Sequence, residues 1–424
     1  MRTGGDGFIF DCVIIGAGPA GLFCALSVAG AGKRVVVLEK KQSCGKKLLI
    51  TGTGQCNLTH GGDIREFFSH YGDHGKFLRP SLLGFTNRDL TGFFESHGLA
   101  MVTDENEKVF PATRKASDVL AVLLDECRKT GVEISCDEAV RSVEKTGSGF
   151  LIETENGRYQ ALNVVIATGG ASYPSTGSTG DGYRLATVLG QPVTETRPAL
   201  AAVYVMDYLF QDLAGISFGN VAVSLFRNNK KIRQLTGDLL LTHKGLSGPV
   251  ILHLSRYIDA GDLLKVSFLP GTGRETLQKE LIGMMAEHGT RQVKTALSGY
   301  GLPERFVKKL LDLAGISPDL TCAHVTKDRR NKLIDLLTTF PFIVDACGGF
   351  HEAMVTAGGV ALDEVNPKTM ESKLVPSLYF TGEVLDIDGD TGGYNLQAAF
   401  STAFAAAKGI KTDKKDVEKV IFPS

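Results

Sequence analysis

Three glycines followed by one acid are spaced to grip a nucleotide. In "DCVIIGAGPAGLFCALSVAGAGKRVVVLEK" (11–40), Gly16, Gly18 and Gly21 stand in G-x-G-x-x-G order, and Glu39 follows 18 residues after Gly21. The first glycine makes a tight turn, the second lets a pyrophosphate approach the backbone, and the third lets a helix pack closely on a strand. Pro19 and Ala20 open that helix, whose unpaired N–H groups and partial positive charge favour phosphate. Glu39 ends the next strand, where a carboxylate can accept hydrogen bonds from both hydroxyls of a ribose. Dinucleotide binding is the chemistry these residues support together.

A second cluster lies in "LYFTGEVLDIDGDTGGYNLQAAFSTAFAAAKG" (378–409). Gly382 and Glu383 follow a short strand, and a carboxylate there suits an extended polyol. Gly392 and Gly393 lead into a helix starting near Tyr394. Its first amides, on Asn395, Leu396 and Gln397, can stabilise negative charge that grows on a flavin ring during reduction. Asp386, Asp388 and Asp390 imitate a calcium loop. The twelfth position counted from Asp386 is Gln397 rather than a glutamate, so no metal site is expected.

The elements that must carry these residues can be read from apolar periodicity. Cys12–Ile15 and Val35–Leu38 read as buried strands on either side of a helix from Pro19 to about Ala29. "SCGKKLLITGTGQCNLTH" (43–60) has no regular period and reads as a loop whose backbone can lie against something flat, with Gly54, Cys56 and Asn57 in it. Helices are expected near 64–70 and 86–97, the second capped by Thr86 or Asn87. Another runs over 118–130, headed by Ser117. Strand-like runs follow at 132–135, 138–144, 149–154 and 158–161. "NVVIAT" (163–168) is a further buried strand that ends on Thr168, Gly169 and Gly170. Residues 192–270 alternate like strands, including "FGNVAVSLFRNNKKIRQL". Helices are expected at 274–288, 290–298, 303–313 and 327–338, and α/β character returns beyond 340 with a last helix at 394–408. The lysine-rich tail 411–419 reads as solvated.

This pattern implies an α/β protein: a discontinuous Rossmann-like nucleotide domain (1–190 and 341–424), interrupted by a β-rich insert (191–270) and a helical part (271–340). With 424 residues, 46 Lys+Arg against 47 Asp+Glu and a net charge of −1, no global field draws the chain to nucleic acid or anionic lipid. Neither a nucleic-acid partner nor a membrane is therefore expected; oligomeric state is not legible. The only basic clusters, 327–332 and 411–415, read as solvated faces. The eight cysteines are scattered through apolar runs, which suits reduced, buried thiols in a cytoplasmic protein. The N-terminus lacks a signal-peptide pattern, and no apolar run is long enough for a membrane helix.

Taken in order, residues 12–40, 45–59, 167–183, "LTHKGLSGPVIL" (241–252), "TAGGV" (356–360), "TMESK" (369–373) and 382–400 resemble the aminoacetone-oxidase/BaiN-type, or YhiN-like, FAD-dependent oxidoreductases over nearly the whole chain. The resemblance implies non-covalent FAD in a discontinuous domain, with an inserted β-barrel-like plus helical domain. It implies Glu39 at the adenosine ribose, Val140 offering backbone to adenine, and Glu383 at the ribityl chain. Lys40, Lys47, Gly54, Cys56, Asn57, Thr168, Gly169, Gly170, Gly382 and Gly393 join the glycine turn and the last helix as candidate FAD contacts. The chain departs from the family's more common Gly-Gly-Gly-Arg-Cys-Asn at Gly52-Thr53-Gly54-Gln55-Cys56-Asn57, losing an arginine. It also has Ala403 where glycine is common.

Flavin chemistry needs an electron donor and an acceptor, which the protein positions. Cys44 and Cys56 are too widely spaced for the C-x4-C of disulfide reductases and read as separate structural thiols. Residues 190–340 hold no second G-x-G-x-x-G, so NADH or NADPH would visit only transiently. Substrate-side candidates are His243 in "LTHKGLSG", Thr356 before Gly358-Gly359, and Tyr394. The expectation is an FAD-dependent oxidoreductase of a small organic substrate, with NAD(P)H or oxygen as redox partner. The alternative is a flavin-bearing redox sensor or RNA-associated flavoprotein without small-molecule turnover.

Overall fold

The computed structural model describes residues 9–410. The tail and the 411–415 cluster lie outside them. Two compact units emerge, one of residues 198–353 and one of the remaining described chain. Each has its own apolar core. No helix among the described residues is long and apolar enough to cross a membrane.

The first unit is built on a seven-stranded mixed sheet. Strand β1 (Ile9–Ile15) pairs in parallel with β2 (Val35–Leu38) on one side and with Arg158–Ile166 on the other. Glu133–Ser135 extends the sheet beyond β2, and Leu378–Phe380 pairs in parallel with Arg158–Ile166. A hairpin, Val140–Lys145 and Phe150–Thr154, adds antiparallel strands. Strands β1 and β2 are apolar runs rather than alternations because their inner residues are buried on both faces. Helix α1 (Pro19–Ala29) crosses between them and is buried along almost its whole length. The closing helix Tyr394–Ile410 packs on it, with Phe23 and Phe400 rings edge to face at 5.2 Å. The alanine run of that helix permits the close approach.

The second unit contains a closed six-stranded antiparallel barrel, which bears out the barrel-like insert. Helices at Arg274–Glu287, Glu304–Leu313 and Lys327–Thr338 pack beside it within the unit.

Local expectations differed at a few places. Residues 158–161 and 163–168 form one strand, Arg158–Ile166, because polar Asn163 donates its side-chain amide to Asp11 O (2.9 Å) instead of interrupting the run. Ser117 is not a cap: the helix spans Ala116–Lys129 and begins after Lys115, with no side-chain cap. The segment near 64–70 is a kinked 3-10 stretch, Glu66–His74, bent at Gly72. Thr86 does cap Asn87–Ser96, and reciprocal bonds with Asp89 complete a capping box.

Candidate functional site

The glycine turn leaves one bare face. Gly16 has φ +107°, and a Cβ there would lie 2.6 Å from Ala167 O. A Cβ on Gly21 would meet Gly16 O at 1.9 Å, so this glycine lets α1 close onto the turn. At Gly18 a Cβ would meet nothing within 4 Å. Two glycines thus serve packing, and the middle one opens space beside the helix start, where a phosphate is favoured.

Glu39 ends β2 with both carboxylate oxygens engaged. Oε2 accepts from Ala17 N and Oε1 from Lys41 N, each at 2.9 Å. Its own N–H donates to Ser135 O at 2.8 Å. The acid therefore pins the glycine turn to the strand end, and its remaining lone pairs face the cavity it lines.

That cavity runs along the glycine turn and past the C-terminal ends of β1 and β2, where Ile15 and Leu38 line it. Its wall takes in Gly16, Gly18, Pro19, Ala20, Glu39, Lys40, Lys47 and Val140. It continues over Thr168, Gly169, Gly382, Glu383, Asn395 and Leu396. Two wall residues carry buried polar atoms with no protein partner, Glu138 Oε2 and Thr381 Oγ1. Such atoms ordinarily find a partner, and the hydroxyls and ring polar atoms of a dinucleotide can supply one. The Asn395 and Leu396 amides, in the first turn of the closing helix, likewise have no intrahelical acceptor, whereas Gln397 N donates to Gly393 O at 3.0 Å. The bare glycine face and the unpaired polar atoms both fit FAD.

Glu383 is the hub of the other end. Lys47 Nζ donates to its Oε2 at 2.7 Å and its Oε1 at 3.0 Å, and Thr356 N donates to Oε1 at 2.9 Å. The Thr356 hydroxyl turns inward, accepting from Ala171 N (2.8 Å) and Ser172 N (3.1 Å). It braces this end of the site and does not line the cavity, in contrast to its place among the substrate-side candidates. Lys40 is likewise committed, to Asp181 and Thr179.

Several other expected contacts stand behind the wall. A Cβ on Gly393 would lie 2.6 Å from Thr59 backbone, and one on Gly170 would lie 2.5 Å from Thr356 Oγ1. Asn57 donates to Thr59 O (3.1 Å) and accepts from Gly393 N (3.2 Å), fixing the start of the closing helix. Gln397 is fully buried, accepting from Thr59 Oγ1 at 2.7 Å and donating to Phe85 O at 3.1 Å. Gly54 lies in the 3-10 turn Thr51–Gly54, and Cys56 is wholly buried after it. Gly21, Gly54, Cys56, Asn57, Gly170, Gly393 and Gln397 are therefore absent from the cavity wall.

Tyr394 is also a packing residue. Its ring stacks on His70 at 4.0 Å and on His60 at 5.3 Å, and its carbonyl accepts from Tyr71 Oη at 2.8 Å. Burial pushes its phenol up to about 12, so it holds its proton near neutrality. His243 lies exposed in the turn after Lys230–Leu241, within the barrel unit. Cys44 Sγ is 3.9 Å from Cys136 Sγ rather than beside Cys56, and none of the eight cysteines is in a disulfide. Burial pushes the Cys44 and Cys56 thiols up to about 12, which disfavours thiolate chemistry.

Sequence reasoning missed Ser43, Gly45, Lys46, Glu138, Thr176–Ser178 and Asp181 on the wall. Gly45, in a left-handed conformation at φ +67°, and the glycine-rich 176–180 stretch were visible signals. Nothing in local spacing pointed to Glu138, which lies between two strands and is held beside Glu39 by its N–H donating to Glu39 O at 2.9 Å.

The sequence matches the HI0933-like protein Rossmann domain family over residues 10–409. It is 33% identical over 404 residues to the ribosomal RNA dihydrouridine synthase of Escherichia coli (strain K12), covering 95% of this chain and 98% of that protein. It is 30% identical over 403 residues to the 3-dehydro-bile acid delta(4,6)-reductase of Clostridium scindens, covering 93% and 97%. Among solved structures, a 3-ketosteroid-delta4-(5alpha)-dehydrogenase from Rhodococcus jostii RHA1 aligns with a TM-score of 0.51 at 15% identity, covering 95% and 97%, a likeness of fold. The expectation of no nucleic-acid partner, which rested on a near-zero net charge, draws no support from these relatives.

Proposed function

The chain belongs to the HI0933-like family of FAD-dependent oxidoreductases, and we propose that it is a reductase of a carbon–carbon double bond conjugated to a carbonyl, acting on uridine in ribosomal RNA. One observation carries this reading: relatives matched over nearly the whole chain are named for two products of the same chemistry. Dihydrouridine and a bile acid reduced at positions 4 and 6 both arise by adding two hydrogens to an alkene in conjugation with a ketone or amide carbonyl. The higher identity to the RNA enzyme favours uridine.

The flavin, when bound, would supply a hydride to the carbon β to the carbonyl while a proton from solvent completes the α carbon, and a reduced nicotinamide is the proposed electron source. The chain's residues bind and orient. The bare face at Gly18 receives the pyrophosphate, and Glu39 orients the adenosine ribose while holding the glycine turn. Lys47 and Glu383 fix each other beside the polyol. The Asn395 and Leu396 amides face the end of the cofactor where negative charge grows, which favours its reduced form.

The test is anaerobic. NADH or NADPH should bleach the yellow protein, and deproteinised ribosomal RNA should restore the colour. Nucleoside mass spectrometry should then find uridine heavier by two hydrogens. Recolouring by a 3-oxo-Δ4,6-steroid, with uridine unchanged, would move the acceptor to the steroid class.

A further inference from the structure

We propose that the outward face of the barrel around Phe226 is a docking surface for single-stranded RNA, an inference that rests on the reading of the chain as an RNA-acting reductase. The face belongs to three neighbouring strands, Ser217–Arg227, Lys230–Leu241 and Leu263–Ser267. Register assigns the directions. Val223, Leu225, Leu264 and Val266 are buried in the barrel core. Ser224 pairs with Gln234 and Lys265, and these three, like Phe226 two residues on, alternate with the core residues and point outward. A register shift between Leu225 and Phe226 then brings Lys231 opposite Phe226, on the side where its Nζ reaches Gln234 Oε1.

What they present is an aromatic ring among cations. Phe226 is half-buried, and Lys265 Nζ sits 4.8 Å from its ring centroid. Lys231 is exposed and donates to Gln234 Oε1. Among the described residues no carboxylate pairs with Lys230, Lys231 or Lys265. From Ser217 to Gly237 the chain carries four cations and no acid. Arg227 is spent internally, on Asp262 at 2.8 Å and Asp259 at 2.8 Å. A ring that offers a π-face to a base, with lysines on either side for phosphates, is the chemistry that holds an unpaired strand. A base stacking on Phe226 would displace the Lys265 ammonium toward the backbone.

The ribbon that carries the face is preorganised. Asn228 (φ 49°) and Asn229 (φ 61°) form a two-residue left-handed turn whose twist suits the hairpin. Beyond it, residues 230–240 pair with Ser217–Arg227 on one side. Among the described strands their other edge is paired only at Leu240 and Leu241. The exposed edge adds amide and carbonyl groups to the cationic tip.

Fluorescence anisotropy of a labelled, uridine-containing single-stranded RNA tests the surface, read across a salt series on FAD-loaded protein. The double variant Lys231→Gln, Lys265→Gln should bind about tenfold more weakly at low salt and show a shallower salt slope by about 1.4, about 0.7 for each lost contact on a single strand. Phe226→Leu keeps an apolar side chain for folding. It should weaken binding by about tenfold with the slope unchanged, as loss of a stacked base requires. Flavin content and thermal melting of each variant report folding. If folded variants match the parent in affinity and slope while the parent reduces uridine, this surface is wrong and the function stands. If the parent binds no RNA but reduces a 3-oxo-Δ4,6-steroid, both fall. Binding to ribosomal particles but not to deproteinised RNA overturns the surface in favour of a protein partner.

Discussion

Lys47 and Glu383, 336 residues apart, meet at 2.7 Å on the cavity wall. The pair joins a short helix, Lys46–Ile50, in the stretch whose sequence reads as a loop, to the turn after the strand Leu378–Phe380, and so ties the discontinuous halves of the cofactor unit. Both side chains are about one-fifth exposed. Replacing one leaves the other partly buried and unpaired, which costs more than losing a surface pair. A double-mutant cycle with Lys47→Met and Glu383→Gln should return a coupling of about 1 kcal/mol or more by thermal or urea unfolding. Additive effects would mean that the two act separately.

Glu39→Gln should weaken FAD by about tenfold to a hundredfold, through the loss of a charged acceptor. The amide can satisfy only one of the two backbone donors, on Ala17 and Lys41, so its nitrogen meets an N–H head on. Ultrafiltration at low protein concentration measures this directly. Full flavin retention would remove Glu39 from the cofactor's ribose.

The three glycines should separate when each is changed to alanine. Gly21→Ala places a methyl 1.9 Å from a backbone oxygen and should lower the stability of the flavin-free protein by about 3 kcal/mol or more. Gly18→Ala meets nothing within 4 Å and should leave that stability within about 1 kcal/mol, yet weaken FAD. Differential scanning calorimetry of the apoprotein and flavin titration give the two readings. Equal destabilisation by both substitutions would refute the division of labour.

Alkaline pH should unfold the protein partly through its buried thiols. Burial holds Cys56, Cys44 and Cys127 up at about 12, against about 8.5 for a thiol in an unfolded chain. A raised folded-state value stabilises the protonated native form. That stability is fully present below about pH 8.5 and drains away as pH rises toward 12. Cys56→Ala should flatten the decline by about 1.4 kcal/mol per pH unit within that window, as read from urea unfolding at successive pH values. The same burial predicts that iodoacetamide labels Cys44 of the folded protein about a thousandfold more slowly than free cysteine at pH 8.

Much of the scaffold was legible without coordinates, because it rests on local sterics and apolar period. A G-x-G-x-x-G turn after an all-apolar strand has few alternatives, and α1 covers the residues the pattern assigned to it. The small-residue closing helix and the alternating strands of the insert were legible for the same reason. The chemistry of individual side chains was not. The side chains of Thr356 and Tyr394 looked available for a ligand, but in the structure they are engaged by partners far away in the chain.

Sequence alone determined where a dinucleotide meets the backbone, since the absence of a side chain at Gly18 and the carboxylate after β2 are properties of residue type and spacing. Tertiary structure alone decided which polar atoms stay unpaired. Glu138 comes to the cavity wall through its backbone bond to Glu39, Thr381 through the pairing of the strand it follows, Lys47 finds Glu383 across the fold, and Cys44 faces Cys136 instead of Cys56. Register in the barrel likewise turned Phe226 and Lys265 outward together. The physical reason is that sterics act between neighbours in the chain, whereas the satisfaction of a hydrogen bond or charge depends on whatever folding brings within about 3 Å.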